Sequence, residues 1–486
     1  MRRKPLGGIG RSPGVSLPPH RSSPNVLLSA FLLILLVAAR PLGARAQEPA
    51  GPVASPRNVI LMIADGCGYN HIVAHCLYQH GATADPILDS LPYRFALSTY
   101  PANGHGYDPT HWERHDFAYP ALYPTDSAAA GTALATGFKT RNGIVGMHPD
   151  WTTVLVNTVE RAESTGRSTG VVTSVYFADA TPAAFVAHSG ERDDYDLIAQ
   201  HMLLASALDA LMGGGHPLYD AAGQARAANY DLIGGESTWS ALSAGTAGAD
   251  ADADGDADPW QLVETRAAFQ ALMTGDTPSR VCGIPQVART LQQERPGNAL
   301  AAPYVVPLLE SVPSLREMAL GALNVLDADR DGFFLMIEGG AVDWASHEHQ
   351  TGRMLEEMAD FWTTVAAVTD WVAAHSSWQE TLLVVTADHE TGYVWGPGSN
   401  PGWLDLHNNG AGAVPGLTWN ADCHTNSLVP LFARGEGALA LAALADEYDP
   451  VRGAYLDNAE LGALLLELLA VPAPTYELVL PLIRRF

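Results

Sequence analysis

Three short runs of this chain are apolar almost throughout: Asn58-Val-Ile-Leu-Met-Ile-Ala64, Phe333-Phe-Leu-Met-Ile337 and Leu382-Leu-Val-Val-Thr-Ala387. A strand with one wet face alternates polar and apolar residues. Runs without alternation belong to strands buried on both faces, which means a parallel sheet covered by helices. Ser168–Ser174 and Ser427–Ala433 read as further strands. Helices are expected from the Asp65-Gly66-Cys67-Gly68 loop to about His80, and from Thr125-Asp126-Ser127 through Ala133. Others are expected over Thr153–Thr165, Tyr195–Leu211 and Gly352–His375. Residues 100–124, rich in Gly, Pro, His and Tyr, read as a loop. The alternation implies an α/β fold: a three-layer sandwich with a mostly parallel central sheet flanked by helices. In such sheets, ligands and catalytic residues gather beyond the C-terminal ends of the strands.

The first 46 residues differ from the rest. They hold seven Lys or Arg, no acid, an apolar run over Val26–Ala39, and Ala44-Arg45-Ala46. That is the layout of a signal peptide, with a mature start near Gln47. The run is short for a membrane span of about 20 residues, so an uncleaved anchor is the weaker alternative. The remainder, 47–486, reads as a single catalytic domain with insertions around 213–330. The chain carries 27 Lys+Arg against 53 Asp+Glu, a formal charge of −26. Such a balance excludes a nucleic-acid-binding surface, which needs basic groups against phosphates. Four cysteines, Cys67, Cys76, Cys282 and Cys423, suit an exported protein without fixing any pairing.

The segments just past the strands carry the chemistry. Asp65 comes after the first. Glu338-Gly-Gly-Ala-Val-Asp343-Trp344-Ala-Ser-His347 comes after the second, and Asp388-His389-Glu390-Thr-Gly392 after the third. Cys423-His424-Thr425 lies later in the chain. Any one of these is an ordinary loop. Together they are metal-site material, because charge at the ends of buried strands is costly without a partner. Mixed N/O ligands suit zinc, and oxygen-only sets suit magnesium. Ser127 opens a helix, where backbone N–H groups favour a phosphate, although a capping role alone would also place it there. No G-x-S-x-G surrounds it, against an α/β-hydrolase triad. Asp327-Ala-Asp-Arg-Asp-Gly332 with Glu338 fits a calcium-loop pattern, but a strand comes next instead of a helix, so a turn is expected. His71 and His75 are expected to face solvent.

These pieces, together with Asp179-Ala-Thr181-Pro-Ala-Ala184, resemble the alkaline phosphatase family, in family order over roughly residues 57–435. The resemblance implies hydrolysis of small phosphate monoesters through a phosphoserine on Ser127, with two zinc ions and one magnesium. It gives Asp343, His347 and His424 to the first zinc, and Asp65, Asp388 and His389 to the second. Magnesium falls to Thr181 and Glu338, with Asp65 bridging and Asp179 in its outer shell. Arg192 falls where the family keeps a phosphate-clamping arginine. Trp344 stands where relatives carry Lys, His or Trp; an indole brings no positive charge. The resemblance also leaves room for a homodimer. Rival readings are a related phosphodiesterase or sulfatase, or a non-catalytic calcium- or phosphate-binding protein.

Overall fold

The computed structural model describes residues 55–251 and 255–471; the leader lies outside them. Its centre is an eleven-stranded sheet. In chain order the strands are β1 (Asn58–Ile63), β2 (Tyr93–Ser98), β3 (Ser168–Tyr176), β4 (Ala210–Gly214), β5 (Gln261–Val263), β6 (Val281–Gly283), β7 (Phe333–Glu338), β8 (Thr381–Thr386), β9 (Val429–Gly435), β10 (Glu447–Asp449) and β11 (Gly453–Asp457). Their order across the sheet is β10-β11-β2-β9-β8-β1-β7-β3-β4-β6-β5. The block from β8 to β5 is wholly parallel, whereas β9 pairs antiparallel with β8 and β2, and β10 antiparallel with β11.

Every residue of β1, β7 and β8 is buried, as unbroken apolar runs require. One helix group includes Tyr69–His80, Leu315–Leu326 and the long Thr351–His375. Another includes Ser127–Thr136, Thr158–Glu163 and Asn458–Leu469. The Ser127–Thr136 helix is buried along its whole length, which its small side chains permit. A Cβ on Gly131 would come within 3.1 Å of Ala184, so this helix lies tight against the Ala180–Ala184 turn.

Register brings the strand ends level. Ile63 pairs with Thr386 on one side and Glu338 on the other, and Glu338 pairs with Thr173. The residues just beyond these positions therefore emerge together at one edge. At Gly66 the chain turns with φ +74°, and a Cβ there would lie 2.7 Å from the Asp343 Cα. Glycine is needed for both reasons.

Some local expectations are corrected. The helix expected over Thr153–Thr165 spans only Thr158–Glu163, because Asn157 and Glu160 form a reciprocal cap that starts it there. The helix expected over Tyr195–Leu211 stops at Leu204, and Ala210–Gly214 joins the sheet beside β3. A short apolar run fits either structure, and pairing partners decide. His71 and His75 are buried instead of solvent-facing. His71 accepts from the Gly68 N–H at 3.1 Å and meets the Ser346 hydroxyl at 3.2 Å. All four cysteines are free; Cys67 is buried and Cys423 exposed. Asp327–Gly332 is a turn, as expected. The weakly patterned 213–330 segment is part of the fold, supplying β5 and β6 at one sheet edge.

Candidate active site and metal centre

Ser127 is the first residue of its helix. Asp126 caps that helix, its Oδ1 accepting from the Ala129 N–H at 2.9 Å. The other carboxylate oxygen accepts from the Gly143 N–H at 2.8 Å and holds Arg192 Nη1 at 3.2 Å. Arg192 Nη2 lies 3.4 Å from Asp179 Oδ1, which also accepts from the Tyr176 hydroxyl at 3.0 Å. The guanidinium is thus fixed by two carboxylates beside the free N–H groups of a helix start, an arrangement suited to a phosphate. The Ser127 hydroxyl lies 3.2 Å from His389 Nε2.

Two ligand groups converge here. Asp343, His347 and His424 form one, and Asp65, Asp388 and His389 the other; within each, the ligand atoms lie within 4.8 Å of one another. The His389 and His424 rings stack at 3.6 Å. His347 turns Nδ1 to the Asp422 carbonyl at 3.0 Å, and His424 turns Nδ1 to the Thr125 carbonyl at 2.8 Å. Those carbonyls take the ring protons. The two Nε2 atoms then face each other, 2.9 Å apart, with lone pairs outward. Facing lone pairs repel unless a cation sits among them, and such anchoring of the distal nitrogen is how metal-binding imidazoles are oriented.

The carboxylates point to the same chemistry. Among the described residues, Asp65 Oδ1, Asp388 Oδ2 and Thr181 Oγ1 are buried and have no hydrogen-bond partner. Burial, followed by the charges of Asp388, Asp343 and Glu338, raises Asp65 well above the carboxylate range. Burial and the neighbouring Asp343 charge push Asp388 up to about 7. Burial, then Asp179 and Asp388, pushes Glu338 up to about 8, although Thr173 donates to it. Burial also holds His389 and His424 below the ordinary imidazole value. Acids crowded against acids and neutral imidazoles form a donor set that fits divalent cations.

The comparisons with known proteins agree with this geometry. A family model described as Alkaline phosphatase matches residues 56–413. The chain belongs to the alkaline phosphatase family. Alkaline phosphatase 4 of Bacillus subtilis is 28% identical over 357 residues, which cover 71% of this chain and 64% of that protein. Streptomycin-6-phosphate phosphatase of Streptomyces griseus is 31% identical over 384 residues, 75% of this chain and 80% of that one. The crystal structure of Thermus thermophilus alkaline phosphatase shares the fold, with a TM-score of 0.60 at 20% identity over 90% of this chain and 97% of that chain.

For this family member, the residues singled out from sequence come to one edge of the sheet. Asp65, Glu338 and Asp388 follow or end the central strands, Asp179 and Thr181 follow β3, and Asp343 and His347 sit on the short Ala341–His347 helix. Several supporting side chains escape a sequence reading. Thr391 donates to Asp343 Oδ1, Tyr176 donates to Asp179, and Thr173 donates to Glu338. Each lies within a few residues of a motif or opposite one in the sheet register, the only signal that could have found them. Arg289 is different: its guanidinium lies 4.6 Å over the Trp344 ring, and nothing in the sequence spacing links the two.

Proposed function

We propose that the protein hydrolyses small phosphate monoesters by in-line displacement, with Ser127 as the nucleophile. The observation that carries the reading is the placement of the Ser127 hydroxyl, 3.2 Å from His389 Nε2 and at the helix start that Asp126 shares with Arg192. Asp343, His347 and His424 would hold one zinc, and Asp65, Asp388 and His389 a second. Asp65, Thr181 and Glu338 would hold magnesium, with Asp179 in its outer shell. When bound, these metals would supply Lewis acidity to the phosphoryl group and lower the pKa of the attacking hydroxyl.

The chain's own groups do the rest. The cap at Asp126 fixes the backbone of the helix start that carries Ser127, and the Ser127 hydroxyl lies against His389 Nε2. Arg192 lays its planar fork against two phosphoryl oxygens and neutralises charge there. Ser127 Oγ gives up its proton to solvent and bonds to phosphorus as the P–O bond to the ester oxygen breaks on the opposite side, the departing alkoxide taking a proton from solvent. Water then cleaves the phosphoserine, releasing inorganic phosphate and restoring the serine hydroxyl.

The reading extends to export from the cell with cleavage near Gln47, to a single domain over 47–486, to a homodimer, and to the absence of a nucleic-acid partner. Among the described residues, no helix is long and apolar enough to cross a membrane. The test is phosphate release from a chromogenic monoester, with and without a chelator, beside matched diester and sulfate ester controls. Chelator-sensitive release from the monoester above all is expected. Faster turnover of the diester or the sulfate ester, or activity indifferent to chelation, would overturn it.

A further inference from the structure

Beside the Asp343–His347–His424 group opens a cavity of about 570 Å³. Asp343, Trp344 and His347 line one wall; the other comes from residues 289–299 of the weakly patterned segment, including Arg289, Glu294 and Arg295. Arg295 is buried and committed to Glu356, at 2.8 Å. Arg289 is not: its side chain is 47% exposed. It is nevertheless held. Its guanidinium lies 4.6 Å over the Trp344 ring, and its Nε lies 3.2 Å from Glu294 Oε2, with Nη2 on the other oxygen of the same carboxylate. The backbone beneath is fixed as well. The Leu291 N–H donates to the Ser174 carbonyl in β3 at 2.9 Å, and a Cβ at Gly214 would strike the Arg289 carbonyl at 2.2 Å. Nη1 makes no hydrogen bond among the described residues. A guanidinium stacked on an indole and pinned by one carboxylate is preorganised, with donors left for a second anion.

We propose that this cavity receives the leaving alcohol and that Arg289 binds an anionic group which that alcohol carries, so that the enzyme favours phosphate monoesters of acidic alcohols. This rests on the hydrolase reading above: Ser127 attacks from beside His389, so a leaving oxygen on the opposite side falls toward the group of Asp343 and His347. The cavity has room well beyond a simple alcohol. Glu294 and Arg289 neutralise each other, so what the pair offers an incoming anion is the uncommitted Nη1 donor of Arg289, held in place by Glu294 and Trp344. Of the two other acids that line the cavity, Asp343 belongs to the ligand group already described, and Glu348 is exposed to solvent screening.

The experiment uses the metal-saturated enzyme and three probes: 3-phosphoglycerate, glycerol 3-phosphate, which has a hydroxymethyl in place of the carboxylate, and phosphoethanolamine. At low salt, kcat/KM for 3-phosphoglycerate should exceed that for glycerol 3-phosphate about tenfold, as one charged hydrogen-bond contact implies. The gain should fall in KM. Salt should erode the ratio, Arg289→Gln should bring it near one, and Arg289→Lys should keep part of it. A readout without turnover is calorimetric titration of Ser127→Ala protein, which should bind 3-phosphoglycerate the more tightly, with the difference lost on adding Arg289→Gln. Equal constants in the parent, a ratio unmoved by Arg289→Gln, or a preference for phosphoethanolamine would overturn the inference. If the parent hydrolyses none of the three esters, the hydrolase reading itself fails and takes this one with it. Hydrolysis of all three with equal constants fails this one alone.

Discussion

At the carboxyl edge of the sheet, Asp65, Asp388 and Glu338 face one another and a set of neutral imidazoles. On the long Thr351–His375 helix, the equally buried Glu356 faces Arg295 at 2.8 Å and Arg353 at 3.6 Å, and accepts from the Tyr304 N–H at 2.6 Å. Arg295 is satisfied in turn by the carbonyls of Pro307, Gln292 and Val306. Both regions bury charge, which is costly without compensation. In the second, the chain supplies its own counter-charge. In the first it supplies ligands of one sign, and the compensation has to come from outside. Glu356 is compensated by the arginines beside it, whereas the acids and imidazoles at the sheet edge offer a donor set suited to a cation.

The comparison is broken most sharply by one substitution in each region. On the proposed assignment, Asp388→Asn should lower turnover by roughly a thousandfold or more, an effect of several kcal/mol, since it would remove a ligand from the metal placed beside the nucleophile. The same change should stabilise the metal-free fold by roughly 1–3 kcal/mol at pH 8, because it removes an acid that burial resists ionising. Arg295→Leu should do the reverse: it should destabilise the protein by roughly 3–5 kcal/mol, leaving Glu356 with less compensation, while metal content stays that of the parent. Denaturant unfolding of stripped and metal-loaded protein, with metal analysis, reads all of this. A metal-free Asp388→Asn protein less stable than its parent would mean that the first region is compensated from within after all.

The pH dependence of the metal-free protein sharpens the contrast. Burial and like charges hold Asp388 at about 7 and Glu338 at about 8, whereas both titrate near 4 when unfolded. Between those values the native state binds more protons than the unfolded state. Stability should therefore be fullest below about pH 4 as far as these groups are concerned, and should fall as pH rises toward 8. Adding zinc and magnesium should flatten or invert the slope, since metal replaces proton. Thermal unfolding from pH 5 to 8.5, with and without metal, gives the sign. A smaller effect is expected at Thr391, whose hydroxyl donates to Asp343. Thr391→Val should weaken zinc affinity about tenfold, as loss of a ligand-orienting partner does, measured by competition with a chromogenic chelator.

How much of this is legible in the chain depends on what each region is made of. The strands β1, β7 and β8 are legible because burial on both faces writes an unbroken apolar run, and the ligands are legible because they come directly after those runs. Capping chemistry and the phosphate-binding role coincide at Ser127, so sequence alone leaves two readings there; the adjacent His389 and the anchored Arg192 favour the second. A helix continued through Leu211 fails because Leu208-Asp209-Ala210-Leu211 suits helix or strand alike, and pairing with β3 decides between them. With no carboxylate partner close by in the sequence to make a metal site of them, the helix pair His71 and His75 reads as solvent-facing. Yet one is satisfied by the Gly68 backbone and Ser346, and the other packs 4.0 Å from Asp85. Arg289 is invisible to sequence, since its meeting with Trp344 is purely tertiary.

In the proposed mechanism Ser127 carries the phosphoryl group. The direct measurement is to mix the metal-loaded enzyme with isotopically labelled phosphate at acid pH, quench, digest and locate the label by peptide mass spectrometry. The account predicts a phosphoserine at Ser127, absent from Ser127→Ala protein and reduced in Arg192→Ala protein. Label on another residue, or none in an enzyme that turns over its ester at full rate, would contradict it.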